Sequence, residues 1–252
     1  MMRSSAAADA PHGGVSAAPA IELWAVAQRL GASWALRGVT LTVGAGEIVA
    51  VVGHNGSGKT TILRVLSTLL RPTRGDGRVM GHDLRREADA VRGVVGLLAH
   101  RSGLYDELTA AENLVFAQRM LGQRSDRAAV ERVLAEVGLA RVADDRVRTF
   151  SSGMQRRVAI ARLLLRRPPL LLLDEPYNSL DAEGVTVIDR LLAETRARGG
   201  AALVVLHDLA RCTIAVDRVV EMREGRLCGE AATAVTPAAD APIEQLALAG
   251  GA

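Results

Sequence analysis

Residues 47–60 read Glu-Ile-Val-Ala-Val-Val-Gly-His-Asn-Gly-Ser-Gly-Lys-Thr, and this stretch decides the fold. Glu47–Val52 reads as a strand whose continuous apolar run after the glutamate is the mark of burial on both faces. Helix-forming sequence follows from Lys59 to about Leu70 and stops near Pro72. Between strand and helix, Gly53-His54-Asn55-Gly56-Ser57-Gly58-Lys59-Thr60 fits the pattern G-x-x-x-x-G-K-[ST]. Glycines at these places let successive N–H groups curl inward as an anion-binding nest, and the helix N-terminus adds its positive dipole end. Lys59 supplies a point charge for β- and γ-phosphates, and the Thr60 hydroxyl, followed by Thr61, is placed to ligate Mg²⁺. A glycine-rich turn of no function would not need the chain's single lysine, among 31 Lys and Arg together, at this position. The stretch predicts a nucleoside triphosphate site.

Working outward, Leu170-Leu171-Leu172-Leu173-Asp174-Glu175 is a second buried strand that delivers two acids to its carboxyl end. Asp174 would hold Mg²⁺, and Glu175, one residue on, could accept a proton from an attacking water. A third apolar run, Ala202–Leu206, follows a helical stretch at about Val185–Arg198. Shorter β-like runs stand at Ile21–Val26 and Leu36–Val43; helical patterns stand at Thr109–Gly138 and Gly153–Arg166. Strand–helix alternation around a mid-chain helical block predicts an α/β core with a helical insertion. Residues 1–20 read as a disordered leader and 231–252 as a flexible Ala-rich tail, with a short helix near Pro242–Leu248.

Composition narrows the function. The 252 residues are 49% hydrophobic and 23% charged, a globular balance. Lys and Arg exceed Asp and Glu by 31 to 28, a net +3 that does not point to nucleic acid. Arg85-Arg86, Arg156-Arg157 and Arg166-Arg167 lack aromatic interleaving and read as solvated faces. Cys212 and Cys228 form neither a disulfide framework nor a metal spacing. No uncharged apolar run approaches the roughly 18 residues of a membrane span, and the start has no signal-peptide core. A cytoplasmic chain whose membrane role runs through a partner is expected.

Phe150-Ser151-Ser152-Gly153-Met154-Gln155-Arg156-Arg157, preceding the Asp-Glu strand, selects among phosphate-loop classes. With the other motifs it resembles the signature of ATP-binding-cassette (ABC) ATPases, usually Leu-Ser-Gly-Gly-Gln; Ser151 and Gly153 match, whereas Ser152 and Met154 depart. Ser179-Leu180-Asp181 resembles the D-loop that makes contacts across the family's dimer, and His207, leaving the third strand, resembles its switch histidine. The family's adenine-stacking aromatic falls on Leu30, with Trp34 the nearby ring. His100, in Leu98-Ala99-His100-Arg101-Ser102-Gly103-Leu104, stands where the family's glutamine loop carries Gln. An imidazole offers one acceptor and one donor and, unlike the amide, can take a proton. This combination is similar to the CcmA-type heme exporter ATPases of cytochrome c maturation.

The resemblance spans about residues 20–230. It implies a P-loop NTPase (RecA-like) ABC core, over 21–230, with an antiparallel β subdomain and an α-helical subdomain inserted at about 100–165. It implies ATP and Mg²⁺, with Ser151, Ser152, Gly153 and Asp181 serving the nucleotide of a head-to-tail homodimer. His100 joins Thr60 and Asp174 at the metal, and Glu175, His100 and His207 act in hydrolysis. Integral-membrane permease subunits are the implied partner, and heme export the implied work, with drug, lipid or polysaccharide export the alternative. Soluble ABC ATPases of ribosomes or DNA carry two cassettes or long coiled coils, and this chain shows one cassette and no heptad array. Leu104, Tyr105 and Leu108 would anchor a permease helix, or else belong to the core of the insertion.

Overall fold

The computed structural model describes residues 18–100, 102–207 and 216–235, with side chains through 229. Cys212, the expected helix near Pro242–Leu248, and most of the expected leader and tail lie outside the described residues.

The apolar run after Glu47 becomes strand β3 (Ile48–Val52). It pairs in parallel with β8 (Ala201–Leu206) on one side and β9 (Val216–Arg223) on the other. β8 pairs in parallel with β7 (Leu170–Asp174), and β7 with β6 (Val95–Leu98). Antiparallel β10 (Arg226–Val235) closes the far edge, giving the order β10-β9-β3-β8-β7-β6. Alternate residues of the apolar strands serve two cores. Ala50, Leu171, Leu173 and Val204 pack in one cluster, while Val49, Val51, Leu172 and Leu203 pack in the other. A strand buried on both faces needs such an unbroken apolar run, which is why these three were readable.

The second sheet is antiparallel, order β2-β1-β4-β5, from β1 (Ile21–Leu30), β2 (Ser33–Val43), β4 (Arg74–Val79) and β5 (His82–Asp83). Its core residues Ile21, Leu23, Leu36 and Leu41 join helix α1 (Lys59–Leu66) and Val91 of α2 (Ala88–Val94) in the second cluster. The other cluster holds α3 (Ala110–Met120), α4 (Arg127–Glu136), α5 (Ser152–Arg166) and α6 (Ala182–Ala197).

Several boundaries differ from expectation. Helix α1 ends at Leu66 rather than near Leu70, because Thr68 takes a left-handed backbone (φ 61) before Pro72 is reached. The pattern over Thr109–Gly138 is two helices. The first starts on a capping box between Thr109 and Glu112, and the second on Asp126, whose side chain accepts from Ala129 N–H. β10 extends to Val235, so the tail begins later than residue 231.

Candidate functional site

Parallel pairing decides what meets at the site. β3, β6, β7 and β8 run the same way, with Leu98 opposite Leu173, Asp174 opposite Val205, and Leu206 opposite Val52. Their carboxyl ends therefore share one edge, the place where open α/β sheets bind ligands. Gly53 leaves β3, Ala99-His100 leaves β6, Asp174-Glu175 closes β7 and His207 leaves β8. His207 is exposed there.

The phosphate loop is pinned from behind. Gly225 N–H donates to the Ser57 carbonyl at 2.8 Å, and Ser57 N–H to the His54 carbonyl at 3.1 Å. Gly53 (φ 151) and Gly58 (φ 114) are conformationally required. A Cβ on Gly53 would come within 2.2 Å of the Met222 carbonyl, and one on Gly58 within 2.7 Å of the Ala35 carbonyl. His54, Asn55 and Gly56 are exposed, whereas Ser57 and Thr61 are buried. The Ser57 hydroxyl is buried without a hydrogen-bond partner.

Lys59 is only 6% exposed, and its ammonium donates to the carbonyls of Gly53 (2.5 Å) and His54 (3.0 Å). Burial pushes its pKa down, and the nearby Glu175 and Asp174 charges pull it back. The Thr60 hydroxyl donates to Asp174 Oδ2 at 3.0 Å, tying the helix start to the acid strand. Burial raises the Asp174 pKa. The Thr60 bond lowers it, Glu175 raises it, and His100 and Arg156 lower it. Hard oxygens side by side suit a cation that keeps water and phosphate ligands. Among the described residues, no three His, Cys, Asp or Glu gather tightly enough to hold a metal by themselves.

Glu175 sits in a left-handed backbone (φ 47), a conformation costing about 1–3 kcal/mol in a non-glycine residue. Its N–H donates to the Val205 carbonyl (2.9 Å), and its carboxylate accepts from Asn178 Nδ2 (2.5 Å). Glu175, His100, Ser152 and Ser179 line one cleft of about 670 Å³.

The second glycine-serine turn opens α5. Ser151 caps that helix by accepting from Met154 N–H (3.3 Å); Ser151 and Ser152 are exposed. Gly153 is needed for close approach, since a Cβ there would lie 2.9 Å from the Ser179 carbonyl. Asp181 caps α6 by accepting from Gly184 N–H (3.0 Å) and takes an Arg157 Nη2 donor at 2.5 Å. These contacts, the helix-end N–H first and Arg157 second, hold its carboxyl below the usual range. Of the two adenine candidates, Leu30 stands exposed, whereas the Trp34 ring is covered by Arg74, 5.4 Å from its centroid.

Of the three basic pairs only Arg86 and Arg167 stay exposed as solvated faces; Arg85 turns in to the Gly75 carbonyl, and the other three are drawn into the fold. Arg156 is 7% exposed and bonds three backbone carbonyls. Arg157 also donates to the Val137 carbonyl (2.8 Å), and Arg166 to those of Arg92, Gly93 and Val95. The surface reading fails at Arg156, Arg157 and Arg166 because carbonyls at helix or strand ends accept from each guanidinium and so offset its loss of water. The helical period held a signal: Arg156 shares a face with buried Ile160, Leu163 and Leu164. Of the three anchor candidates, Tyr105 alone is exposed. Leu104 packs against the core and Leu108 is half-buried.

Comparison with known proteins converges on one family. Residues 36–178 match the family model described as ABC transporter. The chain is 45% identical over 171 residues to the cytochrome c biogenesis ATP-binding export protein CcmA 2 of Cupriavidus metallidurans, covering 68% of this chain and 81% of that protein. It is 38% identical over 205 residues to the daunorubicin resistance ATP-binding protein DrrA3 of Streptomyces coeruleorubidus, covering 81% of this chain and 65% of the relative. A solved ATP-binding subunit of an ABC transporter superposes with a TM-score of 0.77 at 30% identity, covering 84% of this chain and 89% of the other. The dimeric post-hydrolysis cassette MJ0796, bound to ADP and phosphate, gives 0.76 at 27%, covering 84% and 98%.

Proposed function

The chain belongs to the ABC transporter family as an ATP-hydrolysing subunit, and from that premise we propose which residues do the work and for what transport. The observation that supports the assignment most is the shared strand edge, where the Gly53–Thr61 loop, Asp174, Glu175, His100 and His207 end together. Residues 53–61 cradle the phosphates of ATP, Lys59 exchanging its loop carbonyls for phosphate oxygens. Thr60 and Asp174, with His100 beside them, hold Mg²⁺, which supplies positive charge at the phosphates. Glu175 takes the proton of the attacking water, and His207 donates to the γ-phosphate.

Ser151, Ser152 and Gly153 serve the ATP of a second copy in a head-to-tail dimer, with Asp181 at the junction. The α3–α4 block is the subdomain that receives the permease. A groove of about 390 Å³ between the turn after α1, β6, α3 and α5 carries the exposed apolar side chains Leu69, Tyr105, Met120 and Leu121, and it fits a helix from that membrane partner. No described helix is long and apolar enough to cross a membrane itself.

Glu175→Gln tests the catalytic assignment. Losing a general base costs about 10²- to 10⁴-fold in turnover while leaving ATP binding intact. The trapped protein should run as a dimer in size exclusion with MgATP; full activity, or a monomer throughout, refutes it. For cargo we propose export in cytochrome c biogenesis, supported by the CcmA relatives. The drug-resistance relative, which matches more of this chain, supports drug export as the second reading. Restored holo-cytochrome c in a strain lacking its own CcmA favours the first. No restoration, together with daunorubicin tolerance when the chain is paired with a drug permease, favours the second.

A further inference from the structure

Arg156 lies one turn into α5, just beyond Ser151–Gly153, yet its side chain reaches away from its own helix. Nη1 donates to the Ala99 carbonyl at 2.6 Å, and Nη2 to the carbonyls of Asp174 (2.7 Å) and Glu175 (2.8 Å). The first acceptor precedes His100 at the end of β6; the other two belong to the acids ending β7. Nε is buried with no partner. Burying a guanidinium at this depth is costly unless its donors are satisfied. A residue needed only to fill the space would be better served by an apolar side chain.

We propose that Arg156 is a positioning residue that couples the two nucleotide sites of the dimer. The inference rests on the reading above, in which α5 begins at the partner's ATP while Asp174, Glu175 and His100 serve the chain's own. The two groups sit at opposite ends of one side chain: its backbone end belongs to the first turns of α5, and its guanidinium holds the ends of β6 and β7. Its fork is planar and its donor directions are fixed, so a shift of the α5 start must be passed to the carbonyls it holds or break their bonds. The Glu175 carbonyl matters most among them. That residue is in a left-handed conformation, and the bond from Arg156 is one of the contacts that keep it there and so aim its carboxylate. Signature contact with the partner's nucleotide thereby sets the geometry of hydrolysis in the chain's own site.

The test compares the full-length chain with Arg156→Gln and Arg156→Lys. Calorimetric MgATP affinity is measured alongside kcat, KM and the Hill coefficient for ATP. The proposal expects Arg156→Gln to bind MgATP within about twofold of the parent. Its kcat should fall about 10- to 100-fold, as for a misplacement of about an ångström. The Hill coefficient should drop from a value above one in the parent to about one. Arg156→Lys, which keeps the charge and some donors, should recover part of both. Should Arg156→Gln melt below the assay temperature, the lysine variant decides by the same criteria. The proposal is overturned by an unchanged kcat and Hill coefficient, by a parent without cooperativity, or by affinity and kcat falling together. A parent that hydrolyses no MgATP overturns the functional reading too, whereas an active, cooperative parent with indifferent variants overturns this inference alone.

Discussion

Two turns rich in glycine and serine open helices in this chain, and they are built oppositely. At α1 the capping position is Gly58, left-handed, with no side-chain cap. At α5 it is Ser151, in an ordinary extended backbone, with its hydroxyl on Met154 N–H. The first has no side chain on its helix-end N–H groups, buries a lysine beside them, and is wedged against Ala35, Met222 and Gly225. The second gives its Met154 N–H to the Ser151 hydroxyl, stays exposed, and has its tight contact at Gly153 against the Ser179 carbonyl. A helix N-terminus is the more open anion site where no side chain of its own already takes one of its free N–H groups. On the proposed reading the α1 turn is a ligand nest that a nucleotide would complete, whereas the α5 turn is a partly capped end that a second copy would meet.

Lys59→Ala should break that comparison hardest. A charge-assisted phosphate contact is worth about 1.5–3 kcal/mol, roughly 10- to 150-fold in affinity. The cost to folding should be small, because Lys59 is a desolvated ammonium whose present partners are two neutral carbonyls. Calorimetry with MgATP beside a thermal melt separates the two quantities. Unchanged affinity would remove Lys59 from the site, and a large loss of melting temperature with intact affinity would make it a structural post.

Much of this contrast could be read from sequence, for a physical reason. The Gly53–Thr60 turn was legible as a turn between a buried strand and a helix, and glycine and a lone lysine have few uses there other than the phosphate binding proposed above. β3, β7 and β8 were visible because burial on both faces forces unbroken apolar runs. β4, with the sequence Arg-Gly-Asp-Gly-Arg-Val, carries no such run, since it faces β1 with glycines where β1 comes close: a Cβ on Gly75 would meet Ala25 at 2.4 Å. β9, Val-Asp-Arg-Val-Val-Glu-Met-Arg, mixes charged and apolar residues with neither an unbroken apolar run nor a strict alternation to mark it, although it flanks β3 directly. The arginines were misread for a different reason. Composition reports charge and cannot report that a carbonyl at the end of a strand, distant in sequence, lacks a donor. Arg156 spans 57 residues to Ala99, a pairing that only the folded sheet creates.

Ser151→Ala should have a middling effect of a different kind. Loss of an N-cap costs about 0.5–2 kcal/mol, some 2–4 °C per kcal/mol in a domain of this size, with MgATP affinity of the isolated chain unaltered. Ser151→Asn sharpens the comparison, because Asn also caps helices well but lengthens the exposed group offered to a partner. The asparagine variant should regain the melting temperature of the parent and still hydrolyse ATP slowly. Turnover that simply tracks melting temperature across the three proteins would show the α5 turn to be a cap and nothing more.

The smallest expected effect lies where the α5 turn is braced. Asp181 holds the start of α6 and accepts from Arg157, the residue after Arg156. Gly184 N–H and Arg157 favour the ionised carboxylate, so the folded pKa lies below the unfolded value of about 3.9. A depressed folded pKa contributes stability that is fully present above the unfolded value and lost as pH falls through the folded one. Asp181→Asn keeps a capping oxygen and discards the charge. The parent's advantage in melting temperature over this variant should therefore be constant from pH 7 to about 5, shrink below about 4, and vanish once the carboxyl is protonated in both states. Salt should reduce it, because the Arg157–Asp181 pair is exposed on the aspartate side. A difference that persists unchanged at pH 2.5 would mean that shape, rather than charge, makes Asp181 the cap. The ionic brace behind the α5 turn would then contribute nothing to the contrast with the phosphate loop.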